Sequence, residues 1–246
     1  MILRLALGFV LTQGYYTAEE ARQIFAEGAQ AYDREQYDRA IDAWKRLVDR
    51  GLGGPDVLYN LGTAHLRQGD LGAAVLYLER AQRVQPDSED IRAHLEVARA
   101  RQLDRVVGGD GGSLLERVAT AVPANAASWI FLGAWAGAFA LLIALRRATA
   151  TWRSALALAV AVLFALALPA GLLVGAQVYV AQTVREGVVM KQKLEARELP
   201  APNGKVSFEV HAGLKVRMLN AEGSFVRIQL PNGLVGWAER DGIAEI

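Results

Sequence analysis

Hydrophobic and polar positions change their period twice along these 246 residues. From about residue 17 to 107 apolar side chains recur every three to four positions, as at Ile91, Leu95 and Ala98, which is the spacing of one helix face. Between 126 and 184 the alternation is lost in two long apolar runs, interrupted only by the short basic stretch "RRATATWR" at 146–153. From 185 to the end, apolar and polar residues alternate with period two between "PAPNG", "AEG" and "PNG" turns, the signature of short strands. The pattern predicts helices, then apolar spans, then a small sheet.

The helical region repeats itself at an interval of 34 residues: Gly28 falls on Gly62, Tyr37 on Leu71, Ala40 on Ala74 and Trp44 on Leu78. Small residues at 28, 62, 40 and 74 suit closely crossing antiparallel helices, and Pro86 prevents the second helix of its pair from continuing. The copy "LYNLGTAHLRQGDLGAAVLYLERAQRVQP" resembles the tetratricopeptide repeat. The first copy departs from it, with Glu27 where Leu61 stands in the second. A further helix with Ser88 as N-cap and acidic residues in its first turn, backed by Arg92, Arg99, Arg101 and Arg105, caps an α-solenoid of two such repeats. In that family the first helix of each pair lines a concave groove. The resemblance implies that Arg22, Phe25, Tyr32, Tyr59, Thr63 and Arg67, with Arg101 of the capping helix, face it and bind protein. The alternative for Phe25 and Tyr59 is packing between helices.

Residues 1–16, "MILRLALGFVLTQGYY", carry one early positive charge and a short apolar stretch. Two readings fit: a short secretory signal with cleavage near Gly14 or Tyr15, or the ordinary apolar start of a strand or helix. The glycine-rich "GGDGG" places a linker over 108–125. Ala126–Leu145 and Ser154–Val184 contain no charged residue, and 20 residues of helix reach about 30 Å, the thickness of a bilayer core. They predict a transmembrane hairpin with helices at 126–145 and 154–180, a basic loop at 146–153, a kink at Pro169, and Trp129, Trp152 and Tyr179 near the interfaces. Each span has a pair of glycines four apart, Gly133 with Gly137 and Gly171 with Gly175, which suits close helix contact in lipid.

Five strands are expected within 185–246, enough for a small all-β barrel. The stretch "HAGLKVRMLNAEGSFVRIQLPNGLVGW" resembles the bacterial SH3 domain. Trp237 fits either a ligand platform or the core, and its place in the resembled pattern favours the core.

Charge adds little to the soluble parts and much to the spans. Thr17–Arg105 holds 13 Lys and Arg against 16 Asp and Glu, and 185–246 holds 9 against 8, so neither suggests a nucleic-acid footprint. The absence of cysteine excludes disulfides, thiolate metal sites and cysteine nucleophiles. The three histidines, His65, His94 and His211, are dispersed, and no catalytic motif occurs, so no catalytic residue, cofactor or metal is expected.

The order of these parts, over almost the whole chain, resembles the BatE-type proteins of bacterial aerotolerance operons. The stretch "DVLYNLGTAHLRQGDLGAAVLYLERAQRVQPDSEDIRAHLEVAR" carries the resemblance most specifically. It implies a non-enzymatic membrane scaffold whose partners are von Willebrand A-domain membrane proteins and, through them, a MoxR-type AAA+ ATPase. Raw counts of Lys and Arg around the spans do not orient the hairpin, but the density of Arg146, Arg147 and Arg153 at the span ends, together with the signal-like start, favours a cytoplasmic loop. Both domains are then expected on the periplasmic side of the inner membrane. A cell-wall-binding module acting through the barrel is the alternative function.

Overall fold

The computed structural model describes residues 16–104 and 114–246, in two compact units: residues 16–104 together with Glu186–Ile246, and residues 114–185. Apart from Tyr16, the signal-like segment lies outside the described residues, as does the "GGDGG" of the linker.

The first unit begins with five helices: α1 (Ala18–Asp33), α2 (Tyr37–Val48), α3 (Pro55–Gln68), α4 (Leu71–Val84) and α5 (Glu89–Ala100). Their ends follow from local chemistry. Thr17 and Glu20 form a reciprocal capping box on α1, Pro55 starts α3, and Asp70 and Ser88 accept backbone N–H groups at the starts of α4 and α5. The 34-residue interval reappears as packing. A Cβ on Gly62 would lie 2.6 Å from Leu78 Cγ, and a Cβ on Gly28 would strike the Trp44 indole, so the same close crossing is built twice with different partners. The turns repeat as well. Gly69 ends α3 at φ 86°, and Glu35, 34 positions earlier, holds the left-handed conformation at φ 58° without being glycine. Glu27, the departure from the repeat pattern, is exposed and pairs with Arg46 at 2.5 Å, whereas Leu61 is fully buried. No helix pair precedes the first among the described residues, so that position needs no apolar side chain.

The C-terminal part is a seven-stranded antiparallel sheet: β1 (Arg185–Val189), β2 (Lys193–Arg197), β3 (Val206–His211), β4 (Lys215–Glu222), β5 (Phe225–Gln229), β6 (Val235–Glu239) and β7 (Ile243–Glu245), in the order β3-β2-β6-β5-β4-β1-β7. Two strands exceed the five expected. The run 185–197 divides because the Met190 N–H turns to the Gly242 carbonyl, and β7 is only three residues, too short to display a period. Val189, Leu194, Ala196, Val210, Val216, Val226, Ile228 and Ala238 form its core. Gly236 and Ala238 of β6 are both buried, so the two-residue alternation puts Trp237 on the opposite face, half-buried. The expectation of a core tryptophan is therefore corrected by its parity in the strand.

The helices and the sheet share one core. Val188 of β1 is buried with Leu58, Leu66, Val75, Leu78, Ile91 and Leu95, and Met190, Ala244 and Ile246 pack against the same cluster. The helix α5 has no partner helix of its own among the described residues, and the β1–β7 edge covers the apolar surface that such a helix would have covered. A chain of alternating charges spans this junction. Glu79 on α4, 3% exposed, accepts from Arg99 at 2.8 Å and Lys215 at 3.1 Å; Lys215 also meets Glu186 at 3.0 Å, and Glu186 meets Arg83 at 3.0 Å. Asp104 accepts from the backbone N–H of His211 at 2.6 Å and contacts its Nδ1 at 2.8 Å, while Gln102 donates to the Gly213 carbonyl at 2.5 Å.

The second unit holds α6 (Leu114–Thr120), α7 (Ala124–Arg147) and α8 (Ala150–Thr183). Only Ala148 and Thr149 separate α7 from α8, so the expected eight-residue basic loop is mostly helical: Arg146 and Arg147 end α7, where cations complement the helix dipole, and Trp152 and Arg153 begin α8. The two helices pack antiparallel through small residues. Ala134, Ala138 and Ala167 are buried, Gly171 receives the Phe131 ring, and Gly137 faces Leu163. Each glycine pair is thus split, because Cβ atoms on Gly133 and Gly175 would meet nothing. Large apolar side chains, including Trp129, Leu132, Ile143, Leu158, Leu166 and Leu172, point outward. The helix α8 continues through Pro169, and near its end Gln177 donates to the Ala119 and Val122 carbonyls at 3.0 and 2.9 Å, satisfying acceptors where α6 stops.

Gly62→Ala is expected to destabilise the helical part by about 1–3 kcal/mol through overpacking against Leu78, and Glu35→Gly to stabilise it by about 1 kcal/mol by relieving the left-handed turn; hydrogen exchange in α1–α4 measures both. For the junction, burial pushes the Glu186 carboxyl up, and Lys215 and Arg83 more than offset this, holding it below the ordinary glutamate range. A depressed carboxyl contributes stability above its ordinary pKa and loses it as pH falls through the lowered value. Exchange protection of β1 and β7 is therefore expected to drop in acid below the ordinary carboxylate range, and Glu186→Gln to flatten that dependence. A junction with the same acid profile in the variant contradicts the role given to Glu186.

Candidate protein-binding face of the repeats

Of the seven residues expected to bind, six lie on α1 and α3, the first helices of the two pairs, and Arg101 is the C-cap of the capping helix α5. Their roles divide sharply. Arg22 is exposed on α1, with Glu19 at 3.7 Å one turn earlier. Phe25 is half-buried beside Trp44, ring centroids 6.4 Å apart, and its carbonyl accepts from the Trp44 indole N–H at 3.2 Å. Tyr32 is half-buried between Trp44 at 6.1 Å and Tyr37 at 5.4 Å. Phe25 and Tyr32 therefore pack against the buried Trp44 between α1 and α2 while each leaves part of its ring accessible.

On α3, Tyr59 stands edge-on to His94 of α5 with centroids 5.2 Å apart, and its hydroxyl lies 3.2 Å from His94 Nδ1. Burial, and next the Asp90 carboxylate, raise the Tyr59 hydroxyl above the ordinary tyrosine pKa, so it stays protonated. His94 Nδ1 is also 3.0 Å from the Asp90 carbonyl, so a ring that donates to that carbonyl cannot accept from Tyr59 at the same time. Thr63 is buried and donates to the Asn60 carbonyl one turn back at 2.9 Å, which leaves its hydroxyl turned into its own helix. Thr63 therefore does not present the binding side chain expected of it: burial withdraws it from the surface.

Arginines complete the face. Arg67 is exposed, and its guanidinium lies close to the Tyr32 hydroxyl of α1, which raises its pKa. Arg101, the C-cap of α5, donates to the Leu66 carbonyl at 3.2 Å, next to Arg67 in the chain. The structure thus brings Tyr32, Arg67 and Arg101 into a row across the C-terminal ends of α1, α3 and α5, while Arg22 and Phe25 lie near the start of α1. Beside this row, Glu35, Gln36, Tyr37, Asp38, Arg39 and Gln68 line a hollow of about 500 Å³, crossed by a hydrogen bond from Gln68 to Asp38.

The sequence did not assign His94 or Trp44 to this face, yet they support the expected residues from behind. Trp44 was legible as the repeat counterpart of Leu78, but its indole hydrogen bond depends on the distance between α1 and α2. His65 packs, as its repeat position suggested: its ring stacks on Tyr77 at 5.6 Å, and Nδ1 lies 3.2 Å from Asp70. That contact first, with the Ala73 N–H second, outweighs burial and holds the Asp70 carboxyl below its ordinary value.

Comparison with known proteins agrees with the repeat geometry. Residues 25–89 match the family model described as tetratricopeptide repeat. The match covers α2, α3 and α4 and most of α1, and stops at the start of α5. No curated protein matches the chain.

Proposed function

We propose that this chain is a non-enzymatic, membrane-anchored scaffold of the BatE type that binds protein partners through the groove of its tetratricopeptide repeats and through a C-terminal SH3-like domain. A protein-binding role follows from the repeats themselves. What supports the remainder is one observation: residues 16–104 and Glu186–Ile246 share a single core, although two helices long and apolar enough to cross a bilayer lie between them in the chain.

That core constrains topology. If the bilayer held only one of the two helices, the chain would emerge on opposite sides and Val188 could not pack with Leu78 and Leu95. Both helices crossing as a hairpin return the chain to the side from which it came. The outward Leu, Ile and Trp side chains of α7 and α8 suit lipid, because exposing so much apolar surface to water is costly. The small α7–α8 contact residues are the kind that pack helices in a bilayer, where hydrophobic exclusion does not hold helices together. Arg146, Arg147 and Arg153 at the hairpin turn favour the cytoplasmic side by the positive-inside rule, which puts the repeats and the sheet in the periplasm, at the inner membrane. Von Willebrand A-domain membrane proteins are the leading partners, with a MoxR-type ATPase reached through them.

Crosslinking and co-purification from membranes test the scaffold reading. Wild-type protein is expected to retain membrane-protein partners, and a double charge reversal at Arg67 and Arg101 to lose them by roughly tenfold or more while preserving the junction with the sheet. Unchanged recovery would place the binding elsewhere. The chain has no cysteine, so Thr149→Cys and Ser224→Cys report topology: a membrane-impermeant thiol reagent on intact spheroplasts is expected to label Ser224→Cys alone, and labelling of Thr149→Cys alone overturns the orientation.

A further inference from the structure

The outer face of the sheet carries an arrangement that the repeats do not use. Strand register aligns Arg197 of β2, Trp237 of β6 and Arg227 of β5 in one row across three neighbouring strands. Their side chains lie on the side away from the core, since their neighbours Ala196, Ala238, Val226 and Ile228 are buried. The junction with the helices uses Val188, Met190, Gly213 and Lys215, so β1, β7 and the start of β4 are covered while this row is not.

Charge pairing distinguishes the two arginines of the row. Lys193 pairs with Glu209 at 2.7 Å, Arg197 with Glu195 at 2.6 Å and the Gly204 carbonyl at 2.7 Å, and Lys191 with Glu239 and Asp241 at 2.9 Å each. Arg217, on the same face, also has contacts of its own. Arg227 is exposed and has no ion-pair or hydrogen-bond partner among the described residues. No arginine among the described residues stacks on Trp237. A half-buried indole therefore stands beside an unpaired guanidinium, with Leu219 and Leu234 also exposed on β4 and on the turn before β6.

We propose that this row is a docking site for an acidic peptide segment of a partner protein, one carboxylate being held by Arg227 and an adjacent apolar or aromatic side chain resting on Trp237. A planar guanidinium matches a carboxylate with two parallel hydrogen bonds, and an indole supplies rigid contact area at low entropic cost. A polyanion, whether nucleic acid or an anionic lipid surface, requires several free cations. The paired Lys191, Lys193 and Arg197 do not provide them. The proposal refines the SH3-like half of the scaffold reading and rests on it for the presence of a protein partner, but its site is separate from the repeat groove.

The test uses the full chain in detergent or nanodiscs, with fluorescence anisotropy of three labelled probes: an alternating Glu-Tyr octapeptide, its Lys-Tyr counterpart and soluble peptidoglycan fragments. The acidic peptide is expected to bind, with Arg227→Gln and Trp237→Ala each weakening it by roughly tenfold, and Trp237→Phe by no more than about threefold. Hydrogen exchange in β5 and β6 verifies that each variant is folded. Should Trp237→Ala unfold the sheet, Arg227→Gln and Trp237→Phe decide the matter alone. Lys205→Ala, next to the sheet but outside the row, is expected to leave the affinity unchanged, and the groove is read separately by co-purification, so failure here is distinct from failure of the groove. Equal binding of the basic peptide, preference for peptidoglycan fragments, absence of binding, or indifference to Arg227→Gln overturns the proposal.

Discussion

A stack of helix pairs must cover its last apolar face, and in this protein that requirement ties the N-terminal and C-terminal parts together. The helix α5 brings Ile91, Leu95 and Ala98 to the core but no helix follows to complete a third pair among the described residues. Val188 and the β1–β7 edge cover the remainder. An edge strand is itself a liability when left open. Docking the β1–β7 edge against helices answers both needs at once.

Polar chemistry fixes how that apolar contact is oriented. Glu79 is almost fully buried, a costly place for a carboxylate unless it is paired and hydrogen-bonded. It is paired twice, and the chain from Arg99 through Glu79, Lys215 and Glu186 to Arg83 alternates sign at each step, so every like charge is separated by an opposite one. A buried network of this kind contributes less to net stability than its contacts suggest, because desolvation offsets the Coulomb gain. Its consequence here is geometric: the observed placement of the sheet against α4 and α5 pairs all five groups.

The same joint disciplines the functional reading. Groove and sheet are not two modules on independent tethers but parts of one body, so partners that engage both meet a fixed geometry without an ordering cost for the sheet. The row of Tyr32, Arg67 and Arg101 and the row of Arg197, Trp237 and Arg227 belong to that one body. The two long apolar helices lie between these two halves of the chain, with Gln177 tying α8 to the end of α6.

The sequence by itself determined whatever depends on near neighbours and fixed periods. The 34-residue interval located Gly28 and Gly62 before their crossings were seen, Ser88 marked the start of α5, and uncharged length identified α7 and α8. It also determined that Arg146, Arg147 and Arg153 cluster at the hairpin, though not that helix would extend through them. Of the candidate binding residues, residue type and repeat position were legible, but not their partners: whether a tyrosine faces solvent or leans on His94 depends on residues 35 positions away. Only the tertiary structure decided the outward parity of Trp237, the burial of Glu79 and the joining of β1 to the helices. These contacts link positions up to 136 residues apart, as for Glu79 and Lys215, and no local period encodes them. Local rules set the elements; long-range burial of an uncovered apolar face chose their arrangement.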